Sequence, residues 1–370
     1  TIEGHYKDVI EEMNQIHAEK VAIDIPSGIS SFDGQVLGTA FHADLTVSFA
    51  CEKLGTVLFP GSDYAGEVIP VEIGIGTKLF EENPEVCYTL EKSDLSKFLP
   101  DRKKNSHKGS YGKILMITGS KGMSGAAYLS ARAAYISGGG LVQIYTEESN
   151  RTILQQLLPE AIVSTYTEYE EEKLQSLLKW ADVICIGCGL GKSRTAGQIL
   201  SYLMKYAEVP CVIDADGLNL LADHMELLPK EKKPFVLTPH MKEMAGLLGC
   251  TIPELGKNRF AALKEFTDSY GVVCVLKDAR TLVAGKDRQM FLNTAGNSAM
   301  AKAGSGDVLA GVITGLLAQH MKVYEGTVLG VYLHACGGDA ARERRGAYSV
   351  LAEDLTEGIA ACIKKTEKGR

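Results

Sequence analysis

The stretch Asn297–Gly311, NSAMAKAGSGDVLAG, predicts a ligand site and the buried helix behind it. Two glycines flank Ser305, and Asp307 precedes an apolar run, VLAGVITGLLAQ, that is typical of a buried helix. The first N–H groups of a helix have no intrahelical partner, so a glycine-rich turn at its start predicts an anion site. We expect the helix dipole to keep Asp307 ionised and able to accept a hydroxyl proton. This combination favours phosphoryl transfer onto an alcohol, although GSGD alone is more often a cap that serves tight packing.

Strands and helices alternate along the chain that leads to this stretch. The apolar segments KILMITG (113–119), LVQIYT (141–146) and ADVICIG (181–187) predict strands, and AAYLSARAAYISGGG between the first two predicts a buried helix. This alternation predicts an α/β fold with a mostly parallel sheet and helices on both faces. Glycine turns and polar residues follow the strands, so one crevice at the strand ends is expected to collect them.

Several motifs in this region are incomplete. GSKGMSG (119–125) has the spacing GxxGxxG and is not the dinucleotide motif GxGxxG. GCGLGKS has Ile186 where the phosphate loop GxxxxGK[ST] requires glycine, so Lys192 is expected to be an ordinary residue of a loop. Cys185 and Cys188 form a CxxC without a second pair, which predicts a buried pair at a strand end and not a metal site.

Polar residues follow three further predicted strands. Asp214 and Asp216 end CVIDAD, where they could hold magnesium through water or cap a turn. His240 and Glu243 begin a helix with a spacing of three, which places both on one face. A structural and a functional histidine are equally compatible with this pattern. Lys277 leaves a strand ahead of a predicted hairpin, where its ammonium could pair with a nucleotide phosphate.

The composition narrows the class of protein. The chain has 370 residues, 45% of them hydrophobic, and a net charge of −7, which argues against nucleic-acid and anionic-membrane partners. No apolar run reaches the length of a bilayer span, and no secretory signal opens the chain. The nine scattered cysteines favour a reducing cytoplasm. Because the chain begins at Thr1, further residues are expected upstream.

The opening segment resembles part of a known domain. A helix is predicted over 5–17, and VAIDIPSG, ADLTVSF and LFPG then resemble the second half of the NAD(P)H-hydrate epimerase domain. The resemblance implies that Asp24 contacts the hydrated nucleotide and that Ser27 binds potassium in an incomplete site. The glycine-rich phosphate loop of that family is expected upstream of Thr1, so the segment is a partial Rossmann-like α/β unit with half a site.

The predicted organisation has three parts. Residues 1–90 form the partial epimerase domain, the charged stretch 91–106 is a linker, and 107–370 form the main domain. We expect the chain alone to lack epimerase activity, since two ligands from one strand end do not preorganise a substrate. Upstream residues or a separate polypeptide would have to supply the other half.

The main domain resembles the NAD(P)H-hydrate dehydratase family over about residues 105–370. The motifs that carry the resemblance, in order, are GSKGMSGAAYLSARAA, GCGLGKS, DADGLN, LTPHMKEM, LKDART, NTAGNSAMAKAGSGDVLAG, YLHACGGDAA and AEDL. The resemblance implies a ribokinase-like fold and a magnesium-assisted reaction in which ADP or ATP drives the removal of water from hydrated NADH or NADPH (NADHX, NADPHX). Fusion to an epimerase segment is similar to the bacterial and archaeal bifunctional form, which implies ADP.

The family's site residues transfer onto matching positions. Ala126, Gly191 and His240 are implied to contact the hydrated cofactor, Asp307 is the base, and Glu243 and Asp216 are candidate outer-shell holders of magnesium. The residues implied on the adenine-nucleotide side are Lys277, Asp278, Ala279, Arg280, Thr281, Gly304, Ser305 and Gly306. Asp278 departs from the glycine usual in the family, and its carboxylate would repel phosphate unless it points elsewhere.

Two alternatives share these features. A ribokinase-like kinase of a small alcohol, of the hydroxymethylpyrimidine or pyridoxal type, would use the same GxGD turn but would keep a phosphorylated product. A nucleotide-dependent interaction module would use the first segment as a docking surface. If the protein is a dehydratase, we expect it to form a homo-oligomer. The sequence does not indicate a preference between NADHX and NADPHX.

Overall fold

A computed structural model describes residues 1–76, 78–81, 83, 86–228 and 233–368. The chain divides into two compact units, Thr1–Val86 and Cys87–Arg370. The predicted linker, residues 91–106, lies within the second unit, where a short helix spans Leu95–Phe98 and the Leu95 side chain is buried. The many charged residues of this stretch predict a linker, but its Leu95 side chain packs into the second unit.

The first unit is a small α/β segment. Its elements are α1 His5–Gln15, β1 Val21–Ile23, β2 Leu45–Phe49, α2 Leu54–Val57, α3 Gly61–Ala65, β3 Glu67–Val71 and α4 Lys78–Glu81. Within the described residues the three strands form a parallel sheet in the order β1-β2-β3, with Val21 paired to Leu45 and Leu45 to Glu67. The predicted helix over 5–17 and the strands within 44–49 and 67–73 are confirmed.

The two faces of this small sheet differ. On one face Ala22 packs against Ile10 of α1 and against Phe41. The opposite face carries Val21, Ile23 and Ile69, which keep 46%, 62% and 42% of their surface exposed. Apolar side chains that alternate on one face of a sheet normally lie against another layer. The described part of the first unit does not provide that layer.

The second unit supplies the longer elements. Its helices are α5 Leu95–Phe98, α6 Ser124–Ile136, α7 Arg151–Leu157, α8 Glu171–Trp180, α9 Arg194–Tyr206, α10 Asp216–Ala222, α11 Met241–Leu248, α12 Ile252–Lys257, α13 Arg259–Tyr270, α14 Ser305–Leu317, α15 Val323–Arg345 and α16 Ala352–Lys368. Its strands are β4 Lys113–Ile117, β5 Leu141–Glu147, β6 Ile162–Tyr166, β7 Val183–Ile186, β8 Cys211–Ile213, β9 Phe235–Leu237, β10 Val273–Leu276, β11 Leu282–Gly285 and β12 Phe291–Leu292.

These nine described strands form one sheet in the order β12-β11-β10-β9-β8-β7-β4-β5-β6. Strands β4 to β10 pair in parallel with their neighbours, and β11 and β12 continue the sheet antiparallel from β10. The predicted hairpin after Lys277 is thereby confirmed. Parallel strands need crossover connections, which the intervening helices provide.

The sheet is buried on both faces. Every residue of β7, β8 and β9 is buried, as expected for strands covered by helices on either side. One face packs Met116, Cys185 and Val212 into a core shared with helices α6, α14 and α15. Helix α14 is buried along its whole length from Val308 to Leu317, which confirms the buried helix predicted from its apolar sequence. No helix among the described residues is long and apolar enough to cross a membrane.

Candidate active site

The carboxyl ends of adjacent parallel strands meet at one edge of the large sheet. Backbone hydrogen bonds link the residues at neighbouring strand ends along that edge. Gly119 N–H donates to the Cys188 carbonyl at 2.9 Å, and Asp214 N–H donates to that of Ile186 at 3.0 Å. Lys277 N–H donates to the Pro239 carbonyl at 2.8 Å. The crevice predicted from the order of strands and polar loops is therefore present.

Helix α14 points its first turn into this crevice. Gly304 caps the helix with φ 90°, and a Cβ at this position would lie 2.7 Å from Cδ1 of Leu129. Only glycine combines that backbone conformation with such close packing. The N–H groups of Gly306 and Asp307 have no acceptor among the described residues, as expected at the start of a helix. They leave a corner beside the Asp307 side chain whose N–H groups suit an anion.

A buried ionic cluster lies against the same corner. Asp214, whose side chain is 2% exposed, accepts hydrogen bonds from Lys277 Nζ at 2.6 Å and from Thr238 Oγ1 at 2.8 Å. Ligand atoms of Cys188, Asp214 and Asp307 all lie within 4.8 Å of one another. A Cβ added to Gly306 would lie 3.5 Å from Lys277 Nζ, so the ammonium reaches the first turn of α14. Backbone N–H groups and one ammonium thus converge on a single anion position.

The pKa of Asp307 is higher than the helix dipole alone would make it. Burial raises the pKa of its carboxyl to about 6, and the nearby Asp214 carboxylate adds to the rise. A hydrogen bond from Cys188 and the charge of Lys277 act in the opposite direction. Desolvation therefore outweighs the dipole at this position. A pKa near the working pH suits a general base, since Asp307 is mostly ionised at pH 7 and still basic.

His240 and Glu243 cap the start of α11. Glu243 N–H donates to His240 Nδ1 at 3.1 Å, and His240 N–H donates to Glu243 Oε2 at 2.8 Å. Half of the His240 side chain is exposed, and its backbone pairs with that of Lys277. Burial raises the pKa of Glu243, which lies 3.9 Å from Lys277 Nζ. The histidine is thus a helix cap that also presents its ring at the strand ends.

The opposite wall of the crevice comes from the first glycine turn and the loop after β7. Gly191 N–H donates to Oδ2 of Asp216 at 2.8 Å. A Cβ at Gly189 would lie 2.8 Å from that of Ala126, the buried residue in the first turn of α6. The loop that carries Gly191 therefore packs, through Gly189, against the first turn of α6 at Ala126. Asp216 supports this wall through the hydrogen bond that it accepts.

Comparison with known proteins agrees with this geometry. Residues 114–361 match the family model described as NAD(P)H-hydrate dehydratase. The chain belongs to the NAD(P)H-hydrate dehydratase family. It is 36% identical over 368 residues to the bifunctional NAD(P)H-hydrate repair enzyme of Moorella thermoacetica, covering 97% of this chain and 69% of that protein. Residues 1–55 match the model of the YjeF-related protein N-terminus.

Solved structures give the same fold. A ribokinase-like superfamily protein from Enterococcus faecalis V583 matches with a TM-score of 0.69 and 31% identity, covering 75% of this chain and 95% of that one. The ADP/ATP-dependent NAD(P)H-hydrate dehydratase of Bacillus subtilis, co-crystallised with ATP and Mg²⁺, matches with a TM-score of 0.64 and 30% identity, covering 75% and 97%. The ribokinase-like fold expected from the sequence is confirmed.

The departure from the family at Asp278 has a structural counterpart. The Asp278 carboxylate faces Nη1 of Arg259 at 3.1 Å, and the Arg259 side chain is largely buried. It also accepts the N–H of Ala279 at 2.8 Å. Thr281 Oγ1 donates to the Asp278 carbonyl at 3.1 Å, and Arg280 Nη1 donates to the Thr294 carbonyl at 2.9 Å. The loop is fixed, and its extra negative charge is neutralised by a cation from α13.

Some residues of the site were missed in the sequence. Cys188 was assigned only as a member of a buried pair, which it is, but its thiol also faces both aspartates. His334 lies beneath the GSGD turn, 3.4 Å from Ser305 Oγ, and burial lowers its pKa to about 4. Asp339 accepts hydrogen bonds from Gly296 N–H and from Asn297 Nδ2. His334 and Asp339 both occur in the motif YLHACGGDAA, which is the sequence feature that could have identified them.

The residues predicted in the first unit form their own small cluster. The Asp24 carboxylate accepts hydrogen bonds from the Lys53 ammonium and, at 2.9 Å, from Phe49 N–H. Burial raises the pKa of Asp24, but the hydrogen bonds from Lys53 and Phe49 and the positive charge of Lys53 together outweigh it, so the net shift is downward. Ser27 is exposed, and its carbonyl accepts the N–H of Phe41 at 2.8 Å. One exposed hydroxyl does not make a potassium site.

Proposed function

We propose that the chain catalyses the ADP- or ATP-dependent dehydration of the S epimer of NADHX or NADPHX to NADH or NADPH, releasing AMP or ADP and phosphate. The observation that carries this proposal is Asp307 beside the open N–H groups of α14 and the ammonium of Lys277. Membership of the dehydratase family supports the same reaction. The pairing of a base with an anion corner suits transfer of a phosphoryl group to a hydroxyl.

Each group has a role in the reaction. Asp307 takes the proton of the C6 hydroxyl as its oxygen attacks the terminal phosphorus of the nucleotide. The N–H groups of Gly306 and Asp307, with Lys277, stabilise the charge on the transferred phosphoryl oxygens. The C–O bond of the phosphate ester then breaks as the ring nitrogen donates its electron pair. Loss of a proton from C5 restores the dihydronicotinamide.

Binding roles follow from the walls of the crevice. We assign the hydrated nicotinamide to Ala126, Gly191 and His240. We assign the adenine nucleotide to the loop 277–281 and the turn 304–306. Because Asp278 is paired with Arg259, its carboxylate is directed away from the phosphates in this assignment. We propose ADP as the preferred co-substrate, as the resemblance of the fused sequence to the bifunctional form implies, and the similar dehydratase of Bacillus subtilis is ADP/ATP-dependent.

Magnesium would be held mainly by the nucleotide phosphates and water, as is usual for this ion. Glu243 is already engaged by His240 and Lys277, which leaves Asp216 as the better outer-shell candidate. The ion supplies neutralisation of phosphate charge when bound.

We propose that the first unit is the C-terminal part of an epimerase domain and does not epimerise the hydrate by itself. Its uncovered apolar face supports this, since a completed domain would cover it. The rest would come from upstream residues or a separate chain, and it would also complete the potassium site at Ser27. A homo-oligomer and a cytoplasmic location stay predictions.

The decisive experiment is incubation of purified NADHX with the chain, magnesium and either ADP or ATP. We expect the absorbance of the dihydronicotinamide band to appear together with one inorganic phosphate per NADH. Asp307→Asn is the matched control: it should bind nucleotide normally and lose about 10²–10⁴ in rate, because the amide cannot take the proton. A stable phosphorylated product without NADH would instead identify a small-alcohol kinase.

A further inference from the structure

A cationic groove lies beside the substrate wall of the crevice. It has a volume of about 600 Å³ and is formed by the loop before α9, one side of α9 and the far end of α10. Lys192, which follows Gly191 directly in the sequence, lines the groove. Leu220 and His224 also line it. The groove is therefore continuous in sequence with the proposed substrate site.

The charge of the groove is opposite to that of the chain as a whole. Lys192, Arg194 and Lys205 line it, and Glu171 is the single carboxylate among its described lining residues. Lys192 and Arg194 are exposed and form no ion pair within the described part of the chain. The whole chain carries a net charge of −7. A local excess of unpaired cations in a concave surface attracts a small anion.

The wall of the groove is aromatic. The rings of Tyr202 and Tyr206 lie 4.5 Å apart, and Lys205 Nζ lies 5.0 Å from the Tyr206 ring centre. Tyr206 is 50% exposed, and Tyr169 completes this side. Phenol rings beside cations provide a flat apolar surface next to phosphate-binding groups, which suits a nucleotide more than an isolated inorganic ion.

The position of the groove indicates which part of the substrate could bind in it. Helix α10 begins at Asp216, which holds Gly191 at the substrate wall, and its axis leads away toward Leu220 and His224. Four helical residues advance about 6 Å. The groove therefore lies within reach of the adenosine end of a dinucleotide whose nicotinamide binds at Gly191.

We propose that the groove binds the 2′-phosphorylated adenosine end of hydrated NADPH, with Lys192 and Arg194 as the phosphate-binding residues. This inference rests on the proposed dehydratase function for its substrate, but the binding of a 2′-phosphoadenosine is testable without turnover. It makes the two cations determinants of specificity for the phosphorylated over the unphosphorylated hydrate.

The binding test uses adenosine 2′,5′-bisphosphate as the probe. The nucleotide site is first saturated with a non-hydrolysable ATP analogue and magnesium, and the bisphosphate is then titrated calorimetrically. We expect saturable binding, with Kd raised about tenfold in Lys192→Ala and in Arg194→Ala, the usual loss for one charge-assisted contact at an exposed site. Lys179→Ala removes an exposed cation of α8 outside the groove and should leave Kd unchanged.

The kinetic test compares the two hydrates. The same two variants should raise KM for NADPHX about tenfold and change KM for NADHX by less than twofold, with kcat unchanged for both. Absence of bisphosphate binding, or an equal effect on both hydrates, would overturn the groove assignment. Bisphosphate binding that responds to the variants, in a chain that turns over neither hydrate, would support the groove and refute the dehydratase function.

Discussion

The surroundings of Asp307 act on its ionisation in opposite directions. Burial and Asp214 raise its pKa to about 6, while Cys188 and Lys277 act against the rise. Because the base must be deprotonated, kcat/KM should be constant above about pH 7 and fall tenfold per unit below about pH 6. Steady-state rates from pH 5 to 8 would show this.

Cys188 provides the variant that identifies the titrating group. Its hydrogen bond lowers the pKa of Asp307, so Cys188→Ala should move the acid limb to higher pH without abolishing activity. If the acid side of the pH profile of kcat/KM does not shift in this variant, the titrating group is not Asp307.

The Asp278 carboxylate is neutralised by Arg259, so it is compatible with the phosphate-binding role that we propose for Lys277. Arg259→Ala should raise KM for ADP roughly fivefold, the upper range for a partly exposed ion pair, with kcat unchanged. The double variant Arg259→Ala/Asp278→Gly should restore KM, because the uncompensated carboxylate is then removed. Equal defects in the single and double variants would show that Arg259 acts through folding and not through charge.

Individual residues were predictable where their role is local. Gly304 and Asp307 follow from the sequence because a glycine turn, a carboxylate and an apolar run are adjacent in the chain. The ion pair between Asp214 and Lys277 could not be predicted from the sequence. It joins the ends of two strands, and their contact depends on the order of the strands in the sheet. The shifted pKa of Asp307 was also unpredictable, since burial depends on what packs over the turn.

At the scale of elements, the ends of β8 and β10 are joined by the buried pair Asp214–Lys277. Lys277→Met should therefore cost about 3–5 kcal/mol of stability, since it leaves an unpaired carboxylate in the interior. Asp214→Asn in addition should recover most of the loss. Thermal unfolding of both variants tests this, and a double variant no more stable than the single would exclude the charge as the cause.

Elements with a clear period were predicted better than irregular ones. The strand KILMI and the helix after GSGD were located within a few residues because their apolar runs are uninterrupted. Residues 91–106 were predicted as a linker because their charges hide one buried leucine. The dual role of His240 as cap and as wall residue required the structure, because its pattern fits both.

At the scale of the whole molecule, we expect the second unit to be an active dehydratase and the first unit to lack epimerase activity. With an equilibrium mixture of hydrate epimers and excess ADP, the chain should convert only the S fraction rapidly. The remainder should follow at the uncatalysed rate of epimerisation, because Asp24 is tied to Lys53 and the first unit, in our proposal, carries only part of an epimerase site. The time course of NADH formation distinguishes the cases: complete conversion in one rapid phase would show that the first unit is an active epimerase.

The position of β4 in the sheet has a consequence for how the molecule is made. This strand is synthesised first among those of the large sheet, yet it lies between β5 and β7, and the residues that meet in the crevice extend from Gly119 to Asp307. A nascent chain therefore holds an unfinished sheet until β12 emerges from the ribosome, and an incomplete crevice until α14 follows. Contacts this distant in sequence make refolding slow, and they leave apolar strand edges open to aggregation meanwhile. Truncated translation products of this chain should need chaperones and should bind no nucleotide.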